Sequence, residues 1–427
     1  MANLLVIESW VRSVGLILPK KLRALGHRYT FVSRKPEHYT GWAQGAGLLG
    51  AGGQPEPHPL IALADEVFTA ETNNVEQLIA ALKPLHRERH FDGVLTCCDY
   101  YLETAAQVAQ ALGLAGPPPA ALRVARSKHL MREACRRAGM PGPRFLATSD
   151  VEAALAFAQD VGYPVVLKAV DLCASEDVRA AHDGDELRAS FARILGPAVN
   201  IRGQTRPGVV LVEEFLRGEE FSVETCTWRG DTTVIGVTDK SLVGYPNFIE
   251  SGLMHPADLS ADTARVLTDC VRQALAAVGY THGLAHTELK LTEQGPRIVE
   301  INARMGGSYL FELVELVTGV DFFTAVIDLA LDRRPAVQPR ATGITSAAVR
   351  FLLPPRGGHV VSIDGAEEIH RDASIHRLVV DDVVGKTLRE PQDNNDFIGH
   401  VIAVDRDGLG ARRKAEWAAG RLDVRVE

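Results

Sequence analysis

Residues 286–307 read HTELKLTEQGPRIVEINARMGG, and their reading decides the fold. Two runs alternate apolar and polar residues around a turn that contains Gly295, the pattern of a β-hairpin. A three-residue loop of Glu293, Gln294 and Gly295 would use the glycine for its positive φ. Glu288 then faces Glu300 across the hairpin, and His286 faces Asn302. Side chains alternate along a strand, so His286, Glu288, Lys290, Glu300 and Asn302 share one face. Leu289, Leu291, Val299 and Ile301 share the other, the core side.

Two carboxylates placed opposite each other repel, so something positive must lie between them. Glu288, Glu300 and the Asn302 amide are hard oxygen donors, the set that holds Mg²⁺ while it keeps waters and phosphates as its other ligands. The competing reading is a solvated face on which Lys290 and Arg297 neutralise both acids. Arg304 follows Glu300 by one helical turn's worth of chain and can clamp a phosphoryl group at the metal. Gly306 and Gly307 let the backbone approach an anion, or simply make a turn.

Upstream, lysine is sparse. Lys128 and Lys168 are the only lysines between Lys83 and Lys240. Lys168 ends the apolar run YPVVLKAV, where a charge needs a partner such as a phosphate, or else snorkels into water. Lys128 lies on a helix and would ordinarily be surface charge. In VLVEEFLRGEEFSVE a strand exits through Glu213, Glu214, Phe215 and Leu216. Backbone groups at such an exit can read an adenine edge, and Glu220 can accept from both ribose hydroxyls.

Working outward, the N-terminal part alternates strands (NLLVIES, YTFVS, EVFTA, FDGVLTCCD) with helices, which implies a parallel sheet. The glycine-rich segment 45–53 reads as a flexible loop, and the first strand's exit carries no GxGxxG turn. Trp10 and Arg12 in that exit face the cleft. GPPPA at 116–120 is a stiff break. One helix is expected through ALRVARSKHLMREACRRAG, followed by a small unit that carries YPVVLKAV, the polar loop GPAVNIRGQTRPG and GVVLVEEFL. A larger α+β body follows, with a tail of short strands beyond RRPAVQP. The expected boundaries are 1–118, 119–212 and 213–427.

The bulk numbers exclude several classes. With 46 basic and 54 acidic residues and no Lys/Arg tract, a nucleic-acid partner is not expected. The six cysteines form no CxxC pair, which speaks against a zinc site or a disulfide framework and for a reducing compartment. MANLLVIES reads as a first strand, not a signal peptide, and no apolar run is long enough for a bilayer. A cytoplasmic location and no membrane partner are the expectations.

Taken together, RSKHLMREACRRAGMPGPRF, YPVVLKA, VEEFLRGEEFSVE, HTELKLTEQGPRIVEINARMGG and TGVDFF resemble the ATP-grasp superfamily, in particular its carboxylate–amine ligases of the L-amino-acid ligase type. The resemblance covers roughly 120–325, and LLVIES…LRALGHRYTFVSRKPEHY is similar to the family's first domain. It implies an ATP-grasp fold of mixed α/β and α+β class: an N-terminal parallel-sheet domain, a mobile lid and a C-terminal α+β domain. It implies ATP and Mg²⁺ (or Mn²⁺) as cofactors, with Lys128 and Lys168 on the phosphates. Glu213, Glu214, Phe215 and Leu216 would form the adenine hinge, with Glu220 on the ribose. Glu288, Glu300 and Asn302 would be the metal ligands, and Arg304 would stabilise an acyl-phosphate and the tetrahedral intermediate. Small-molecule amino acids and amines are the implied partners, and a homodimer is compatible with the resemblance.

Some positions depart from the family pattern. AVDLCASEDV, after Lys168, holds no glycine, so Ser175 and backbone amides would have to replace a glycine-rich phosphate loop. His286 stands where some relatives carry arginine. ARMGGS lacks the continuation expected of biotin carboxylases. In GYPNFIESGLMHPADL, Glu250 and His255 are candidates for holding an amino group or moving a proton, and a polar pocket rim explains them equally. Two rival readings are a purine-pathway synthetase of the glycinamide-ribonucleotide type and an ATP-binding sensor without turnover.

Overall fold

The computed structural model describes residues 1–39 and 57–427. The glycine-rich segment 45–53 lies outside them. Four strands, β1 (Asn3–Ile7), β2 (Arg28–Ser33), β3 (Glu66–Thr69) and β4 (Gly93–Leu95), form a wholly parallel sheet in the order β3-β2-β1-β4. Helices Val14–Ala24, Val75–Arg89 and Leu102–Ala111 connect or follow them. Leu4, Leu5, Val6 and Ile7 are fully buried, as expected for a strand covered on both faces.

The helix expected over residues 121–139 is two helices, Pro119–Arg126 and Lys128–Arg137. Ser127 between them is extended at φ −88° and ψ 103°. The break frees the Lys128 N–H to donate to the Val170 carbonyl at 3.1 Å, so the lysine opens a helix beside the end of a strand. That strand is β6 (Val165–Ala169), in an antiparallel sheet with β5 (Phe145–Thr148), β7 (Arg179–Ala181) and β8 (Val210–Glu214), ordered β5-β8-β6-β7. Helices Val151–Val161 and Gly184–Leu195 pack on it through Leu155, Leu187 and Phe191.

The largest sheet has eight strands. It contains β9 (Glu219–Trp228), β10 (Asp231–Val243), β11 (Ile249–His255), β12 (Gly283–Thr292), β13 (Gly295–Asn302) and β14 (Ser346–Leu352). The chain then forms β15 (Gly358–Asp364), β16 (Ile375–Val380), β17 (Thr387–Leu388), β18 (Gly399–Asp405) and β19 (Asp423–Val426). The spatial order is β13-β12-β9-β10-β11-β14-β18-β16, while β17-β15-β19 make a small separate sheet. The tail is therefore no appendage: β14, β18 and β16 extend the sheet that carries the hairpin. Helix Ala261–Ala277 presents Leu267, Val271 and Leu275 to Leu289, Ile298 and Ile301, and each fully buried leucine contributes about 1.5–3 kcal/mol. No helix among the described residues is long and apolar enough to cross a membrane.

Candidate active site

Glu288 does pair with Glu300, and His286 with Asn302, in the register of β12 and β13. The rest of the hairpin differs from the expectation. Thr292 pairs with Gly295, which leaves a two-residue turn of Glu293 and Gln294, with Gly295 at φ 95°. The register then shifts between Glu288 and Leu289, so Val299 is an extra residue in a β-bulge. Ile298 takes the core position beside Leu289, and Val299 turns into a cavity instead. The tighter turn and the bulge cancel, which is why the acids still face each other.

Local cations hold both acids. Lys240 on β10 lies 2.7 Å from Glu288, and Lys128 lies 2.9 Å from Glu300. Lys240 is also 3.4 Å from both Glu220 and Glu250, so one ammonium serves three carboxylates. His286 bridges Glu288 at 3.0 Å and Glu224 at 2.6 Å. Lys290 and Arg297 touch neither acid of the pair: Lys290 reaches Glu220 at 3.5 Å, and Arg297 bonds the turn at Gln294 and Pro296. Burial alone would raise the Glu288 carboxyl, but Lys240 and His286 hold it well below the usual carboxylate range. Burial alone would lower His286, but Glu224 and then Glu288 bring it up to about 9. The donor set of Glu288, Glu300 and Asn302 stays on one face, beside a cavity, and is rich in hard oxygens, so it fits a divalent cation.

That cavity, of about 150 Å³, is lined by Lys128, Lys168, Glu220, Glu288, Glu300 and Asn302 together with Phe215 and Leu216. Lys168 reaches it from the end of β6, held 2.8 Å from Glu213. Glu213 also pairs with Arg132, and its side chain is buried. Burial pushes its carboxyl up, but Arg132 and Lys168 bring it down to about 2. Its side chain is thus committed to ordering Lys168, and only its backbone is left for a base. The Glu214 carboxylate accepts from the Arg144 N–H at 3.1 Å. In the glycine-poor loop, Ala174, Ser175 and Asp177 all have φ between 56° and 58°. Residues other than glycine there adopt the conformation that glycine takes without strain.

A second cavity, of about 630 Å³, meets the first at Arg304, Gly307, Ser308 and Asn394. Arg304 is 2.6 Å from Asp99, whose other oxygen accepts from the Trp10 indole at 2.9 Å. Trp10 and Arg12 line this cavity, as does Asp99. Gly307 faces both cavities, whereas Gly306 packs on Leu310, with no room for a β-carbon. Glu250 lines the smaller cavity beside Lys240. His255 does not reach either one. Its ring is buried against Gly236, 3.0 Å from the Thr238 hydroxyl, and burial lowers it to about 4. The position of His255 on β11, whose seven residues are all buried, turns it away from the chemistry.

Sequence reasoning did not single out Lys240, Asp99 or Asn394. Lys240 alone carried a trace, as the one basic residue of a thirteen-residue strand. Asp99 comes from the parallel domain and Asn394 from the tail, where the Asn394 side chain accepts from the Glu250 N–H at 2.9 Å. No local pattern could have joined them.

A hairpin of opposed acids beside a lysine-lined cavity, between a small antiparallel sheet and a large one, defines an ATP-grasp protein. Family models match accordingly: an ATP-grasp N-terminal domain over 20–116, an ATP-grasp domain over 161–312 and an L-amino acid ligase C-terminal domain 2 over 350–427. The chain thus carries ATP-grasp domains, with an L-amino acid ligase C-terminal domain after them. It is similar to carnosine synthase 1 of Gallus gallus (28% identical over 368 residues, 81% of this chain and 37% of that protein). It is also similar to the alanine–anticapsin ligase of Bacillus subtilis (26% over 265 residues, 58% and 56%). The chain therefore spans only part of the length of these two relatives. The crystal structure of an L-amino acid ligase from Bacillus licheniformis superposes with a TM-score of 0.80 at 23% identity, covering 100% of this chain and 99% of that one.

Proposed function

We propose that the protein forms an amide bond between the carboxylate of one amino acid and the amine of another, driven by ATP. The observation that carries this reading is the junction of the two cavities at Arg304 and Gly307, which joins a lysine-lined pocket to a larger, mainly apolar one. The first would hold the nucleotide, with its base at the exit of β8 beside Phe215 and Leu216, its ribose at Glu220 and its phosphates at Lys128 and Lys168. Glu288, Glu300 and Asn302 would hold Mg²⁺ (or Mn²⁺), which when bound neutralises phosphate charge during transfer. The substrate carboxylate, brought up from the larger cavity, attacks the γ-phosphorus and ADP leaves. The amine nitrogen then attacks the acyl carbon, phosphate departs and the nitrogen loses a proton. Arg304, fixed by Asp99, stabilises the negative charge that develops at the junction. The small antiparallel sheet with its two helices acts as the lid that excludes water from the acyl-phosphate. His255 has no part in this scheme.

The names of the relatives, carnosine synthase and alanine–anticapsin ligase, support two amino-acid-like substrates. The test is ADP release over a panel of amino acids, singly and in pairs, with Mg²⁺. Turnover that requires two amino acids is the expected result. Turnover only with a phosphoribosyl amine would identify a glycinamide-ribonucleotide-type synthetase instead, and ATP binding without turnover on any substrate a sensor.

A further inference from the structure

The loop 196–208, which joins the lid's second helix to β8, forms a hydrogen-bonded turn whose tip reaches the N-terminal domain. Internal hydrogen bonds shape it: Asn200 N–H to the Gln204 carbonyl at 2.9 Å, Gly203 N–H to the Asn200 carbonyl at 2.8 Å, and the Asn200 side chain accepting from the Arg202 N–H at 2.9 Å, while the Gln204 side chain donates to the Tyr100 carbonyl at 3.0 Å in the N-terminal domain. Arg206 anchors it to the lid, donating to the Ile194 carbonyl at 2.9 Å and pairing with Asp171 at 3.3 Å. The protruding residue is Arg202, only 9% exposed although it sits on a loop.

Arg202 is buried in the N-terminal domain, not in its own. Its guanidinium donates to the Ser9 carbonyl at 2.5 Å and to the Tyr39 hydroxyl at 3.4 Å, and lies 5.5 Å from the Trp10 ring and 5.9 Å from the Tyr39 ring. Its carbonyl accepts from the Arg34 guanidinium at 3.0 Å and from the Asn73 amide at 2.9 Å. The Tyr39 hydroxyl is itself oriented by donating to Glu8 at 2.7 Å. Arg202 also lines the larger cavity, next to Trp10. Trp10 then donates to Asp99, and Asp99 pairs with Arg304.

We propose that Arg202 is a positioning residue that couples lid closure to the junction: seated on Trp10 and Tyr39, it completes the wall of the larger cavity and fixes the Trp10–Asp99–Arg304 chain. The proposal rests on the ligase reading for its consequence, but its mechanical part stands apart from turnover. A lid that lifts must withdraw Arg202 from Ser9 and Tyr39, which opens the cavity wall to water and leaves the Trp10 ring without its cation. Arg304, held by Asp99 and the Met305 carbonyl, then has its full support through Trp10 when the lid is down, so the acyl-phosphate meets an ordered arginine and no water.

The test compares wild type with Arg202→Met and Arg202→Lys, measuring ADP and amide in the same reactions. Arg202→Met is expected to change the KM for ATP little and to lower amide formed per ADP by about tenfold, because a small misplacement at the reacting centre and added water both favour hydrolysis. Arg202→Lys, which can still donate to Ser9, recovers part of the coupling. An unchanged amide-to-ADP ratio in both variants, or equal loss of both products together with a lowered Tm, overturns the proposal. If wild type releases no ADP with any substrate pair, the ligase reading fails, and hydrogen exchange decides the mechanical part. Faster exchange over residues 8–12 and 98–102 in Arg202→Met than in wild type supports it, and unchanged exchange there overturns it.

Discussion

Lys240 lies within 3.4 Å of Glu220, Glu250 and Glu288 and has a side chain only 5% exposed. Removing one partner of a buried charge cluster leaves the others uncompensated, which costs about 3–5 kcal/mol. Lys240→Met should therefore lower Tm markedly in a thermal melt, and adding Glu250→Gln should recover part of the loss, since one repelling charge then goes. Glu213 gives a pH dependence of known sign. Its folded carboxyl sits at about 2, below its ordinary 4.5, so its contribution is complete above pH 4.5 and is lost as pH falls toward 2. Denaturant unfolding at a series of pH values should show stability falling across that window, with Glu213 contributing up to about 3 kcal/mol of the fall. Glu213→Gln should flatten that part of the profile while lowering stability at neutral pH, because Arg132 and Lys168 lose their shared partner.

At the level of elements, three backbone irregularities set the site. The bulge at Val299 keeps Glu300 and Asn302 on the cavity face despite the two-residue turn, since a one-residue slip would send both to the core. The break at Ser127 swings Lys128 from a helix surface onto Glu300. The loop after Lys168 adopts left-handed backbone at Ala174, Ser175 and Asp177 where relatives would place glycine, and Ala174 accepts from the Asn394 N–H at 3.3 Å. An L-residue in that conformation carries strain, so Ala174→Gly should raise stability by roughly 0.5–1 kcal/mol in denaturant unfolding. If it does not, the loop is not strained.

At the scale of the molecule, three parts of the chain meet at the junction beside Arg304: Asp99 from the parallel domain, Ala174 from the loop after β6, and Asn394 from the tail. Their meeting fits a lid that closes on nucleotide. A non-hydrolysable ATP analogue with Mg²⁺, at about ten times its Kd, should slow tryptic cleavage within 143–212 by about tenfold, because ligand that binds only the closed form depletes the open one by mass action. Equal cleavage with and without the analogue would refute closure.

The parallel N-terminal sheet, the hairpin, the facing of Glu288 and Glu300 and the lysine at 168 were legible in the sequence, whereas Lys128 read as surface charge and stood out only through the family resemblance. They follow from local rules: alternation with period two, apolar runs bounded by turn residues, and charges placed where a strand cannot tolerate them unpartnered. Tertiary structure alone decided the neutralising ions, the exclusion of His255 and the union of the two cavities. Lys240, Asp99, Asn394 and Arg202 belong to segments far apart in the chain, and burial and ion pairing depend on distance in space, which no local spacing records.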